Sequence, residues 1–92
     1  MSGVKGRVFT KELTNDTLTI VRDYGIKKIS VFNNTEVVGT VRGDLSIGGF
    51  DSDALNVEKE VGITIETVDA NTLDGITINA PADCILKILA YQ

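Results

Sequence analysis

The residues with most chemistry to offer lie between 41 and 55, in VRGDLSIGGFDSDAL. Arg42-Gly43-Asp44 has the form of an adhesion tripeptide. Asp51-x-Asp53, with Asp44 nearby, could give three carboxylate oxygens to a calcium ion. Each has a plainer reading. An adhesion tripeptide needs a protruding tip, whereas Arg42 closes a predicted strand and Gly-Asp begins a turn. The carboxylates miss the spacing of a helix-loop-helix calcium site, and Glu58 and Glu60 fall on the next predicted strand and its turn. The loop therefore reads as solvated and acidic, with no metal and no other cofactor expected. Its length still makes it the best place for a partner contact, through Gly43, Asp44, Gly48, Gly49, Phe50, Asp51 and Asp53.

Catalysis has little to work with. The chain has no histidine, which removes the commonest general base and metal ligand. Its single cysteine, Cys84, follows Asp83 and precedes Ile85. A neighbouring carboxylate and an apolar setting raise a thiol's pKa rather than activate it. Cys84 is expected to be a small buried apolar residue, and the protein is expected not to be an enzyme. A lone cysteine also forbids an internal disulfide, which fits a reducing compartment.

Net charge is −4, which argues against general nucleic-acid binding. Lys5, Arg7, Lys11, Arg22, Lys27 and Lys28 make the first third basic, but acids alternate with them. Phe9, Tyr24 and Phe32 are read as core or turn residues rather than stacking platforms. Residues 1–42 carry seven Lys/Arg against four Asp/Glu, and residues 43–92 two against nine. Interleaved strands would average this asymmetry over the surface. Segregated ones would give a basic and an acidic side suited to an oriented partner.

The elements that must position these residues are strands. At 92 residues, 42% hydrophobic and 24% charged, the chain is one globular domain near the lower limit for a self-sufficient core. No apolar run is long enough to span a membrane. Met1-Ser2-Gly3-Val4-Lys5 has neither the apolar stretch of a secretory signal nor a myristoylation start. Segments 5–12, 16–22, 26–33, 36–42, 54–59, 62–68, 73–80 and 84–91 read as strands, with LSI at 45–47 a short extra one. Ile29 and Val31, Leu55 and Val57, Ile63 and Ile65, and Ile76 and Ile78 mark inward faces. Asn15-Asp16, Asp23-Tyr24-Gly25 and Pro81-Ala82-Asp83 are turns, and Asn33-Asn34 is a hairpin signal. Gly39 inside a strand signals a bulge or a close backbone approach. No stretch has a helical apolar period. The expected fold is an all-β antiparallel sandwich, jelly-roll-like, of about eight short strands. Residues 1–15 would form its first strand, an arm or an added hairpin.

CILKILAY, residues 84–91, is apolar on both faces. Such a strand is either central between two layers or at a subunit contact. The contact reading makes Leu86, Ile88 and Ala90 a candidate interface and predicts a homo-oligomer.

ALNVEKEVGITIE (54–66) and LDGITINAPADCILKILAY (73–91) resemble the C-terminal half of small β-sandwich proteins from tailed-phage structural modules. ISVFNNTEVVGTVRG (29–43) is similar to an earlier strand pair of the same proteins. The likeness covers about residues 26–92. It implies a virion component assembled in the host cytoplasm: a capsid decoration, head-fibre or tail-associated protein. Its partners would be itself, favouring a trimer, and another virion protein. Neither nucleic acid nor membrane is expected as a partner. The alternative is a module that recognises a glycan or host receptor through its loops. A weaker echo of the cupin barrel lacks that family's metal-binding histidines.

Overall fold

The computed structural model describes residues 8–43, 55–67 and 72–92. Eight strands appear among them: β1 (Val8–Leu13), β2 (Asp16–Ile20), β3 (Lys28–Asn33), β4 (Gly39–Arg42), β5 (Leu55–Val57), β6 (Gly62–Glu66), β7 (Ile76–Ala80) and β8 (Leu86–Tyr91). A single 3-10 turn, Arg22–Tyr24, follows β2. The strands form two four-stranded sheets, ordered β1-β8-β3-β6 and β2-β7-β4-β5. Every pairing is antiparallel. The expected all-β sandwich is therefore present. The extra strand expected at 45–47 lies outside the described residues.

Period-2 alternation decides which side chains enter. In β3, Ile29 and Val31 are buried while Lys28, Ser30 and Phe32 point away. In β7, Ile76, Ile78 and Ala80 are buried. Facing rows from the two sheets make one core, which also holds Leu13, Ile20, Val41, Val57, Cys84 and Leu86. Fully burying a Leu or Ile side chain contributes about 1.5–3 kcal/mol. Ile63 and Ile65 are half-buried against this core, because β6 is an edge strand. Leu55 shares the inner row of Val41 and Ile78. Contrary to expectation it is 41% exposed, since β5 is the other sheet's edge.

The Asn33-Asn34 hairpin does not form. β3 and β4 belong to different sheets. Among the described residues, the non-glycine residues with positive φ are Asn15, Glu60 and Asp83, in the β1–β2, β5–β6 and β7–β8 turns. Asn33 has a different task. It is fully buried, and its side chain uses all of its hydrogen-bonding capacity. Nδ2 donates to Val37 O at 2.8 Å and to Val57 O at 2.6 Å. Oδ1 accepts from the Thr35 amide at 2.8 Å and from the Thr35 hydroxyl. That hydroxyl oxygen in turn accepts from the Ile85 amide at 3.2 Å. The backbone of Asn33 bonds both Val61 O and the Glu60 amide.

Gly39 is a close approach, as its place within a strand signalled. A Cβ there would sit 2.8 Å from Leu86 Cδ1 and 2.9 Å from Cδ2. The glycine lets β4 settle onto the inward side chain of Leu86 in the facing sheet.

Asn33→Asp tests the buried amide. The carboxylate would face two carbonyl oxygens with no proton to give, so unfolding free energy should fall by more than about 2 kcal/mol at neutral pH. Burial beside carbonyls raises the new group's folded pKa above its unfolded value. The deficit is therefore full above the folded pKa and narrows as pH falls below it. Urea denaturation of both proteins at pH 4 and pH 7 reads this. Equal midpoints at pH 7 would mean that the amide does not hold the links as described.

Candidate functional site

The expected interface residues are not on the surface. Leu86, Ile88 and Ala90 are 0%, 4% and 6% exposed. β8 is an interior strand of its sheet, flanked by β1 and β3. The face of β8 that carries Leu86, Ile88 and Ala90 is the core face of the sandwich, so the interface assignment is corrected. The outward set is Ile85, Lys87 and Leu89: the first two exposed, the third half-buried. Of the expected partner loop, Gly43 is described and buried. Asp44, Gly48, Gly49, Phe50, Asp51 and Asp53 lie outside the described residues. Arg42 ends β4. Cys84 is buried, as a small apolar residue would be. Among the described residues no three His, Cys, Asp or Glu side chains converge, and no helix is long and apolar enough to cross a membrane.

A different site emerges at the edge where β1 and β2 lie. These strands are joined by a two-residue turn, Thr14-Asn15, yet belong to opposite sheets. In β1, register places Phe9 beside Ala90 and Ile29, and Lys11 beside Ile88 and Val31. Phe9, Lys11 and Leu13 therefore share the inner face. Leu13 is 2% exposed and Phe9 44%, so the sandwich is closed at the turn and open at the other end. Across the gap, β2 contributes Leu18 and Ile20. The result is an apolar cleft of about 400 Å³, floored by Ile29, Ile88 and Ala90, with Ile26 in its wall.

The end wall is the 3-10 turn. Gly25 takes a left-handed conformation, φ 67°, and its amide donates to Arg22 O at 3.0 Å. Gln92 Nε2 donates to Tyr24 O at 2.8 Å. Lys27 N bonds Tyr91 O, and Leu73 N bonds Ile26 O, both at 2.7 Å. The wall is thus tied to the end of β8 and to the segment that leads into β7. Tyr24 is 45% exposed, so the mouth has an aromatic ring at Phe9 and another at Tyr24. The rim adds Lys11, Asp23 and Gln92.

The ion pairs among the described residues are Arg22–Asp74 at 3.6 Å and Lys59–Glu36 at 2.7 Å. Lys11 joins neither. It lines the cleft with no ion-pair partner among the described residues. Chemically, this arrangement offers apolar area, two ring faces and a few polar groups for orientation. It places no nucleophile beside a base. A second concavity, broad and shallow, crosses the outer face of β1, β8 and β3 between Thr10, Glu12, Phe32, Lys87 and Leu89.

Phe9 and Phe32, expected from the sequence in the core or in turns, are both exposed strand residues instead. The signal for the cleft was in β1 itself. A charged residue, Lys11, sits in the middle of an inward row between Phe9 and Leu13. Inward-pointing charge is a mark of an edge strand.

Compared with known proteins, the chain matches no family model, no curated protein and no solved structure.

Leu86→Lys or Ile88→Lys should now abolish folding rather than loosen an interface. Either buries an unpaired ammonium in the core. Far-UV circular dichroism should show loss of the β signal. A folded Leu86→Lys protein would restore β8 as a candidate contact surface.

Proposed function

We propose that this chain is a non-enzymatic structural protein of a tailed-phage virion: a capsid decoration, head-fibre or tail-associated component assembled in the host cytoplasm. It works by self-association and by docking to a neighbouring virion protein. The likeness of residues 26–92 to phage structural modules supports the setting. The observation that carries the mode of action is the open edge, where two edge strands frame an unfilled apolar cleft with Phe9 and Tyr24 at its mouth. Filling such a cleft gains about 25 cal/mol per Å² of apolar area, offset in part by the entropy of association. Acidic net charge and missing histidine accord with a protein partner rather than nucleic acid or a reaction.

Phe9→Asp should weaken assembly without unfolding the chain, because Phe9 is already half in solvent. Light-scattering mass should drop toward one chain, with circular dichroism unchanged. A strictly monomeric wild type removes the self-association mechanism.

One observation favours a second reading, a binding module for a glycan or host receptor. Two aromatic side chains flank a concavity, and ring faces are what sugars stack on. This version places recognition on the cleft rather than the long loop. A glycan array probed with the wild-type chain should give hits that Tyr24→Ala loses. A blank array retires it.

A further inference from the structure

We propose that the open edge is closed by a second copy of this chain, with β1 pairing antiparallel to β1 of its mate about a two-fold axis through Thr10. This rests on the self-association reading and names its contact.

β1 is the outermost strand of its sheet. Five of its six residues are exposed, and one side of its backbone has no strand beside it among the described residues. An occupant must bring a strand to that edge and apolar surface to the cleft. A copy of the chain has both in β1.

The charges in β1 then select the register. A two-fold axis normal to the sheet keeps inner residues inner and outer residues outer. Phe9, Lys11 and Leu13 can therefore oppose only one another, and likewise Val8, Thr10 and Glu12. Centring the pair on Lys11 sets two ammonium groups directly opposite. Centring it on Glu12 does the same with two carboxylates. Like charges so placed are destabilising. Centring on Phe9 overlaps only Val8–Thr10 of the described strand.

Centring on Thr10 has none of these faults. Phe9 lies opposite the partner's Lys11, and Lys11 opposite the partner's Phe9. Val8 and Glu12 pair likewise, and the two threonines meet on the axis. Cross-strand threonine pairs are favourable. A cation over an aromatic ring gains further attraction, more so as water is excluded. Lys11, without an ion-pair partner among the described residues, thereby gains one contact per copy. The two clefts open on this same edge and join across the axis. The contact is isologous and closes at two copies. A trimer would need β1 to meet a different surface.

Single cysteines at Thr10, Lys11 and Glu12, each in a Cys84→Ala background, test the register. Thr10→Cys should crosslink fastest under mild oxidation and with a short bifunctional thiol reagent, because its directly opposed Cβ atoms come within roughly 4.5–5.5 Å. The wild-type mass in solution should be twice that of the chain. Fastest crosslinking at Lys11→Cys or Glu12→Cys overturns the register. An oligomer that none of the three traps, or a trimeric mass, overturns the β1 contact and leaves self-association standing. A monomeric mass overturns both.

Discussion

One buried amide holds this sandwich together. Asn33 ends β3 in one sheet, and its side chain donates to the carbonyl of Val57 in the other. Through Thr35 it also reaches the start of β8, and its backbone secures the β5–β6 link. An unpaired amide in a dry core would cost several kcal/mol. Here every donor and acceptor is used, so the group specifies geometry instead of opposing burial. Three connections that change sheets at this end are fixed relative to one another by one side chain.

That constraint matters because the chain changes sheets so often. Among successive described strands, only β4 and β5 are hydrogen-bonded neighbours. All other successive pairs step from one layer to the other. At the far end no buried side-chain amide closes the layers among the described residues. There the β1–β2 pair leaves its inner faces apart, and the 3-10 turn caps the gap from one side. The closed end and the open end are two outcomes of the same connectivity. The first is sealed by Asn33, Gly39 and Leu86, and the second is left as a cleft with Phe9 and Tyr24 at its mouth.

Among the described strands, interleaving also mixes the charges. The basic first half and the acidic second half are woven together, because β3 lies between β6 and β8. Lys28 stands opposite Glu66 and lies 5.1 Å from the Tyr91 ring. Glu12 stands opposite Lys87, and Arg22 pairs with Asp74. Charges of both signs thus stand side by side on the described surface. No basic and acidic sides arise from the asymmetry along the sequence among the described strands.

Strand identity and facing were legible in the residues, since alternation is a local property. KISVFN and ITINA declare their inner sides by themselves, and Asn15 and Gly39 declare a turn and a close contact. Strand pairing was not legible, because it depends on which segments meet across dozens of residues. Asn33-Asn34 has the composition of a hairpin, yet burial of its amide served a link between sheets instead. Leu86, Ile88 and Ala90 looked free because either face of a greasy strand can be the inner one. Only the neighbours β1 and β3, and the facing sheet, decide which. The cleft is the clearest case. The sequence by itself placed Lys11 between Phe9 and Leu13. Tertiary structure alone put that row at an open edge, where an inward charge meets solvent instead of core.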